Sequence, residues 1–142
     1  MDIPAIGLST NVEQVTVDEQ GNMGVPKEFG NVGWFSHGTK LGWQGNAVMT
    51  GHYDDIYGRP AAFYHLKNIP LGAQIILTDE VGRTLQYEVV HSESKPIGSW
   101  SLAEIFGPTD ERRLNLITCS GWWNPRIHNY SHRHIVFSRL LF

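Results

Sequence analysis

The chain is poor in cysteine, in long apolar runs and in surplus charge of either sign. Cys119 is the only thiol among its 142 residues, which rules out an intramolecular disulfide. It also makes a metal site poor unless several histidines gather round it. What remains for such a residue is a buried apolar filler or a nucleophile. No apolar run approaches the length of a membrane span, and Met1-Asp2-Ile3-Pro4 lacks a secretory signal pattern. Either the protein is soluble as it stands or an anchor lies outside this chain, and one cysteine is compatible with both sides of a membrane. A net charge of -3, a pI near 6.1 and scattered basic residues give no electrostatic footprint for nucleic acid. Internal repeats, low-complexity tracts and linkers are absent too, so residues 1–142 are expected to form one domain.

What the chain does contain favours strands. Fifteen glycines, seven prolines and many Val, Ile, Trp, Tyr and Phe residues suit short strands joined by turns better than a helical bundle. Strands are expected over Ile3 to Leu8 and Val12 to Val17, meeting at Ser9-Thr10-Asn11, then in Val32 to Phe35 and Gly45 to His52. Pro60 followed by helix formers to Leu66 predicts a short crossover helix. Gln74 to Leu77 and Thr84 to Val90 read as a bulged hairpin, and Ser92 to Ser99 as a polar connection. Ser101 and Glu104 have capping-box spacing, which predicts a single helical turn to about Phe106. Leu114 to Cys119 and His132 to Leu140 are further strands, with an aromatic loop over Trp122 to Tyr130 between them. Roughly seven or eight short strands with one or two helical turns point to a closed or nearly closed all-β barrel.

Two strand ends stand out chemically. Cys119 closes one apolar run and is followed by Ser120-Gly121, a polar exit that places the thiol at a half-exposed rim. His52 closes another after Gly51, before the polar Tyr53-Asp54-Asp55. A strand-end histidine bonded to a backbone carbonyl is the ordinary reading, but a rim position is also where catalysis takes place.

The ends Gly51-His52 and Leu116-Ile117-Thr118-Cys119, with Arg133 opening a final Ile-Val-Phe run, resemble the sortase family of cysteine transpeptidases. Ile3-Pro4-Ala5-Ile6-Gly7, Val32-Gly33-Trp34 and Gly45-Asn46-Ala47-Val48 are most similar to the compact class E and F members. The departure is Asn115, which stands where the family's cysteine motif usually has Thr. The resemblance implies a closed eight-stranded β-barrel with one or two short helices, acting at the extracytoplasmic cell surface without a cofactor or metal. It implies cleavage of a sorting signal of the LPXTG kind between Thr and Gly, and transfer of the threonyl carboxyl to an amine of the cell wall or a pilin lysine. In that scheme Cys119 attacks and forms a thioester, His52 moves protons and Arg133 binds the oxyanion or the substrate backbone. Thr118 lends a hydroxyl or main-chain donor, and Trp122 and Trp123 line a substrate groove.

His128, His132 and His134 suggest a metal at first sight, but no carboxylate or thiol completes a ligand set. The competing functions are a papain-like or other hydrolytic cysteine protease, and a non-enzymatic barrel binding peptide or sugar. An L,D-transpeptidase would need a Ser-His-Gly-Cys run, and here Ser36-His37-Gly38 leads to Thr39.

Overall fold

A computed structural model describes residues 1–142. Nine strands form one strongly curled sheet: β1 (Asp2–Ile3), β2 (Leu8–Ser9), β3 (Val12–Val15), β4 (Val32–Phe35), β5 (Gly45–Gly51), β6 (Gln74–Thr78), β7 (Thr84–Pro96), β8 (Arg112–Asn124) and β9 (Asn129–Leu140). Their order across the sheet is β2-β1-β6-β7-β9-β8-β5-β4-β3. The β3–β4 and β5–β8 pairs are parallel and the others antiparallel. The strand count is therefore nine rather than eight. The extra strand arises because the expected strand over Ile3 to Leu8 is split by a 3-10 turn at Pro4–Ile6. Proline fixes the turn's first φ, and Gly7 at φ 67° ends it, so β1 folds back on β2 instead of running straight on.

Alternation gives the central strands two buried faces. Inward, Leu114 and Leu116 of β8 meet Ala47 and Met49 of β5 and Val136 of β9. The two leucines are fully buried, which stabilises the fold by about 1.5–3 kcal/mol each. Outward, Val48, Ile117, Ile135 and Phe137 form a smaller cluster closed by Ile105 and Trp100. Ile105 belongs to helix α1 (Leu102–Phe106), whose capping box of Ser101 and Glu104 is formed as the sequence predicts. Asn115 explains its own departure from the family motif. Its Nδ2 donates to Asn46 Oδ1 at 3.0 Å and to the Ile105 carbonyl at 2.9 Å, which ties α1 to the sheet.

The crossover helix expected from Pro60 does not form; turns there lead to a 3-10 turn at Leu66–Asn68. Its backbone donors are taken by tertiary partners. Ala61 N–H goes to the Tyr53 carbonyl, Ala62 N–H to Phe29 and Phe63 N–H to His52. Of these, Phe63 N–H is the first donor that a helix starting at Pro60 would put into its own ladder, and it is committed to His52 instead. The expected polar connection over Ser92 to Ser99 is mostly strand, since β7 runs on to Pro96 paired with β9. The expected aromatic loop is likewise the tip of the β8–β9 hairpin.

The serines of β7 flank a buried histidine. The Ser92 hydroxyl lies 2.7 Å from His134 Nε2 and the Ser94 hydroxyl 2.8 Å from Nδ1, while Ser94 and Ser120 share a further bond of 2.7 Å. The ring is satisfied as a neutral group, and burial lowers its pKa below the ordinary 6.5. Its contribution to stability is thus complete above about pH 6.5 and is lost as pH falls below that value towards the folded-state pKa. Thermal melts between pH 7 and 5.5 should show the native chain losing more stability than His134→Gln. Equal losses would contradict the buried neutral ring.

Candidate active site

Cys119 and Arg133 are direct partners across the β8–β9 ladder, so their side chains leave the sheet on one face. The next residues break the register: a bulge between Ser120 and Trp123 ends the regular pairing. Gly121 makes the bulge at φ 81°, and a Cβ there would stand 2.1 Å from Ser131 Oγ and 2.5 Å from His132 Nδ1. Only glycine fits both the backbone and the space. Gly51 has a similar necessity at the end of β5, where a Cβ would meet the Phe63 ring at 2.5 Å. That close approach, with Phe63 N–H bonded to the His52 carbonyl at 2.9 Å, fixes where β5 delivers its histidine.

His52, Cys119 and Arg133 line one cleft of about 390 Å³. A larger cavity of about 660 Å³, between β3–β4 and the β6–β7 hairpin, contains none of the three. The Cys119 thiol is half-buried. Burial pushes its pKa up from the ordinary value of 9.0, the Arg133 charge pulls it down and Asp54 raises it. The His52 Nε2 lies 3.0 Å from the Pro26 carbonyl. A carbonyl only accepts, so Nε2 carries hydrogen and the neutral ring has its free lone pair on Nδ1. The Phe29 ring, 4.5 Å from the imidazole, packs on its side. Arg133 is held by Asn129 Oδ1 at 2.7 Å from Nη2 and by the His132 carbonyl at 2.9 Å from Nη1. It makes no ion pair.

The remaining candidates separate. The buried Thr118 hydroxyl donates to the Gly51 carbonyl at 2.8 Å and so ties the end of β5 beside His52 to the stretch of β8 that carries Cys119. Trp122 is 66% exposed, packs on His132 at 5.2 Å and lies outside the cleft, which Trp123 lines. His134 is in the hydroxyl cluster and His128 lies against Trp123, and nowhere do three metal-binding side chains converge. No residue pattern pointed to Pro26 and Phe29 as holders of His52, or to Asn129 as holder of Arg133. Those partners come from loops whose composition is ordinary.

A thiol, an imidazole with one free nitrogen and a permanent cation in one cleft are the groups that cysteine acyl transfer requires. A family model described as the sortase domain matches residues 1–141, and the chain belongs to the sortase family of cysteine transpeptidases. Sortase A of Listeria monocytogenes is similar in fold at a TM-score of 0.71 with 17% identity, over 99% of this chain and 83% of that one. A lid mutant of sortase A from Corynebacterium diphtheriae gives 0.73 with 21% identity, over 99% and 67%. Sortase C2 of group B Streptococcus pilus island 1 gives 0.70 with 20% identity, over 99% and 72%. No curated protein matches the chain. Membership in the family replaces the papain-like and non-enzymatic readings. The family works at the cell envelope, and no helix of this chain is long and apolar enough to cross a membrane.

Proposed function

We propose that residues 1–142 act as one catalytic domain that cleaves an LPXTG-like sorting signal between Thr and Gly and joins the threonyl carboxyl to an amine at the cell surface. The observation that carries this reading is the ladder pairing of Cys119 with Arg133 in a cleft shared with His52. Cys119 is the nucleophile, since a cysteine transpeptidase has no other thiol to use in this chain. Because burial keeps the thiol protonated, attack on the threonyl carbonyl is coupled to loss of the proton to His52 Nδ1. The S–C bond forms, the oxyanion faces Arg133, and the C–N bond breaks as the imidazolium returns the proton to the leaving amine. A second amine then reverses the sequence: its nitrogen bonds to carbon, the C–S bond breaks and the thiol is restored. Within the family, the motifs from Ile3 to Gly7 and from Val32 to His52 favour the compact class E and F type.

Incubation with an LPXTG peptide library and an amine, read by mass spectrometry, tests the reading. The expected result is a thioester on Cys119, a peptide ending in Thr and an amide of that peptide with the amine. Cleavage at any other bond, or hydrolysis with no amide product under excess amine, would overturn it.

A further inference from the structure

The cleft holds one group that the acylation chemistry leaves idle. Asp54, two residues beyond His52, lines the same cleft as Cys119, and its Oδ2 accepts the hydroxyl hydrogen of Tyr130. It makes no ion pair, and neither does Arg133, so a carboxylate and a guanidinium face the thiol separately without neutralising one another. For the first half-reaction the carboxylate is unhelpful: its charge disfavours the thiolate that Arg133 favours. Such an arrangement makes chemical sense if a cation arrives next to the acyl-enzyme.

The walls around Asp54 suit that cation. The Tyr53 ring meets the Tyr130 ring edge-on at 5.4 Å and stacks on Tyr64 at 4.7 Å. The protein already binds one alkylammonium on this aromatic group. Lys67 Nζ donates to the Tyr53 hydroxyl at 2.7 Å and lies 4.9 and 5.2 Å from the centroids of Tyr53 and Tyr64. Phenol oxygen and π-faces together are known partners for such heads.

We propose that Asp54, braced by Tyr130, docks the protonated primary amine that resolves the acyl-enzyme, so that the acceptor is selected as an ammonium. This rests on the transpeptidase reading of Cys119. The docked R–NH3⁺ passes one proton to the neutral His52, and the free amine attacks the thioester carbonyl. The C–N bond forms, the C–S bond breaks, and the second nitrogen proton goes to the departing sulfur. The proton on His52 is released to solvent. Asp54 is a positioning residue in this scheme and stays ionised throughout. A lysine side chain and a peptide amino terminus present the same ammonium chemistry.

The test separates charge from nucleophilicity. Thioester formation on Cys119 is first followed by mass spectrometry, and its absence from the native enzyme would overturn the underlying reading and this inference together. Resolution is then measured with n-propylamine, which is cationic at neutral pH, and with hydroxylamine, which is neutral there. Asp54→Asn should raise the KM for propylamine at least about tenfold while the KM for hydroxylamine changes less than about threefold, and Asp54→Glu should recover part of the loss. Equal changes for both nucleophiles, or none for propylamine, would overturn the proposal. Salt offers a check on the unaltered enzyme, where the KM for propylamine, unlike that for hydroxylamine, should rise between low and high ionic strength. A salt-independent KM would count against Asp54. A lysine peptide blocked at its amino terminus and triglycine serve as further arms, and a lower KM for either names the source of the ammonium.

Discussion

Cys119→Ala is expected to abolish thioester formation and to lower both cleavage and ligation of a sorting peptide at least about a thousandfold, because no other thiol exists to take its place. The fold should survive, since the site is half-buried and only a sulfur is removed. Circular dichroism and a melting curve establish that, and a peptide-cleavage assay reads the loss. The same sulfur should titrate high: burial outweighs Arg133 at Cys119, so alkylation by iodoacetamide should keep accelerating above pH 9.0, the ordinary thiol value. Retained cleavage in Cys119→Ala would remove the nucleophile from this account altogether.

Arg133→Ala should depress turnover about a hundredfold to a thousandfold, the usual effect of losing an oxyanion donor. It should also move the alkylation profile of Cys119 to still higher pH. The sign follows from the charges at the sulfur: Arg133 lowers the thiol pKa, while Asp54 and burial raise it, so deleting the guanidinium leaves only the raising influences. Arg133→Lys should recover the position of the pH profile better than it recovers turnover. Lysine restores a charge, but its single ammonium cannot reproduce the fork that Asn129 and the His132 carbonyl hold in place. A fall in turnover without a shift in alkylation would mean that the arginine touches substrate but not the thiol's surroundings.

The end of β5 before His52 was legible because an apolar run gives way there to polar sequence, whereas the strand expected to stop at Cys119 runs on through the bulge at Gly121 to Asn124, since the tip of the hairpin keeps pairing with β9. Arg133 was singled out by resemblance, and the ladder sets it opposite Cys119. The capping box of α1 could be read from two residues in one turn. The helix after Pro60 could not be predicted correctly from local preference. Phe63 N–H, which would open the helix's ladder, serves the His52 carbonyl, and Ala62 N–H reaches back to Phe29. Similarly, Ser92 and Ser94 look like loop residues until His134 turns out to lie between their hydroxyls. Trp122 and Trp123 looked equivalent in the sequence, and the bulge at Gly121 decides which of them reaches the cleft. Asp54 and Tyr130 share no motif at all, because one follows β5 and the other opens β9.

The thiol and its cation belong to a single hairpin, whereas the imidazole is brought alongside by a parallel pairing of β5 with β8 that spans nearly half the polypeptide. Antiparallel neighbours zip locally, and parallel ones must wait for a long crossover to close. During refolding the chain should therefore bring sulfur and guanidinium together before it becomes competent for proton transfer, leaving the histidine as the last component to arrive.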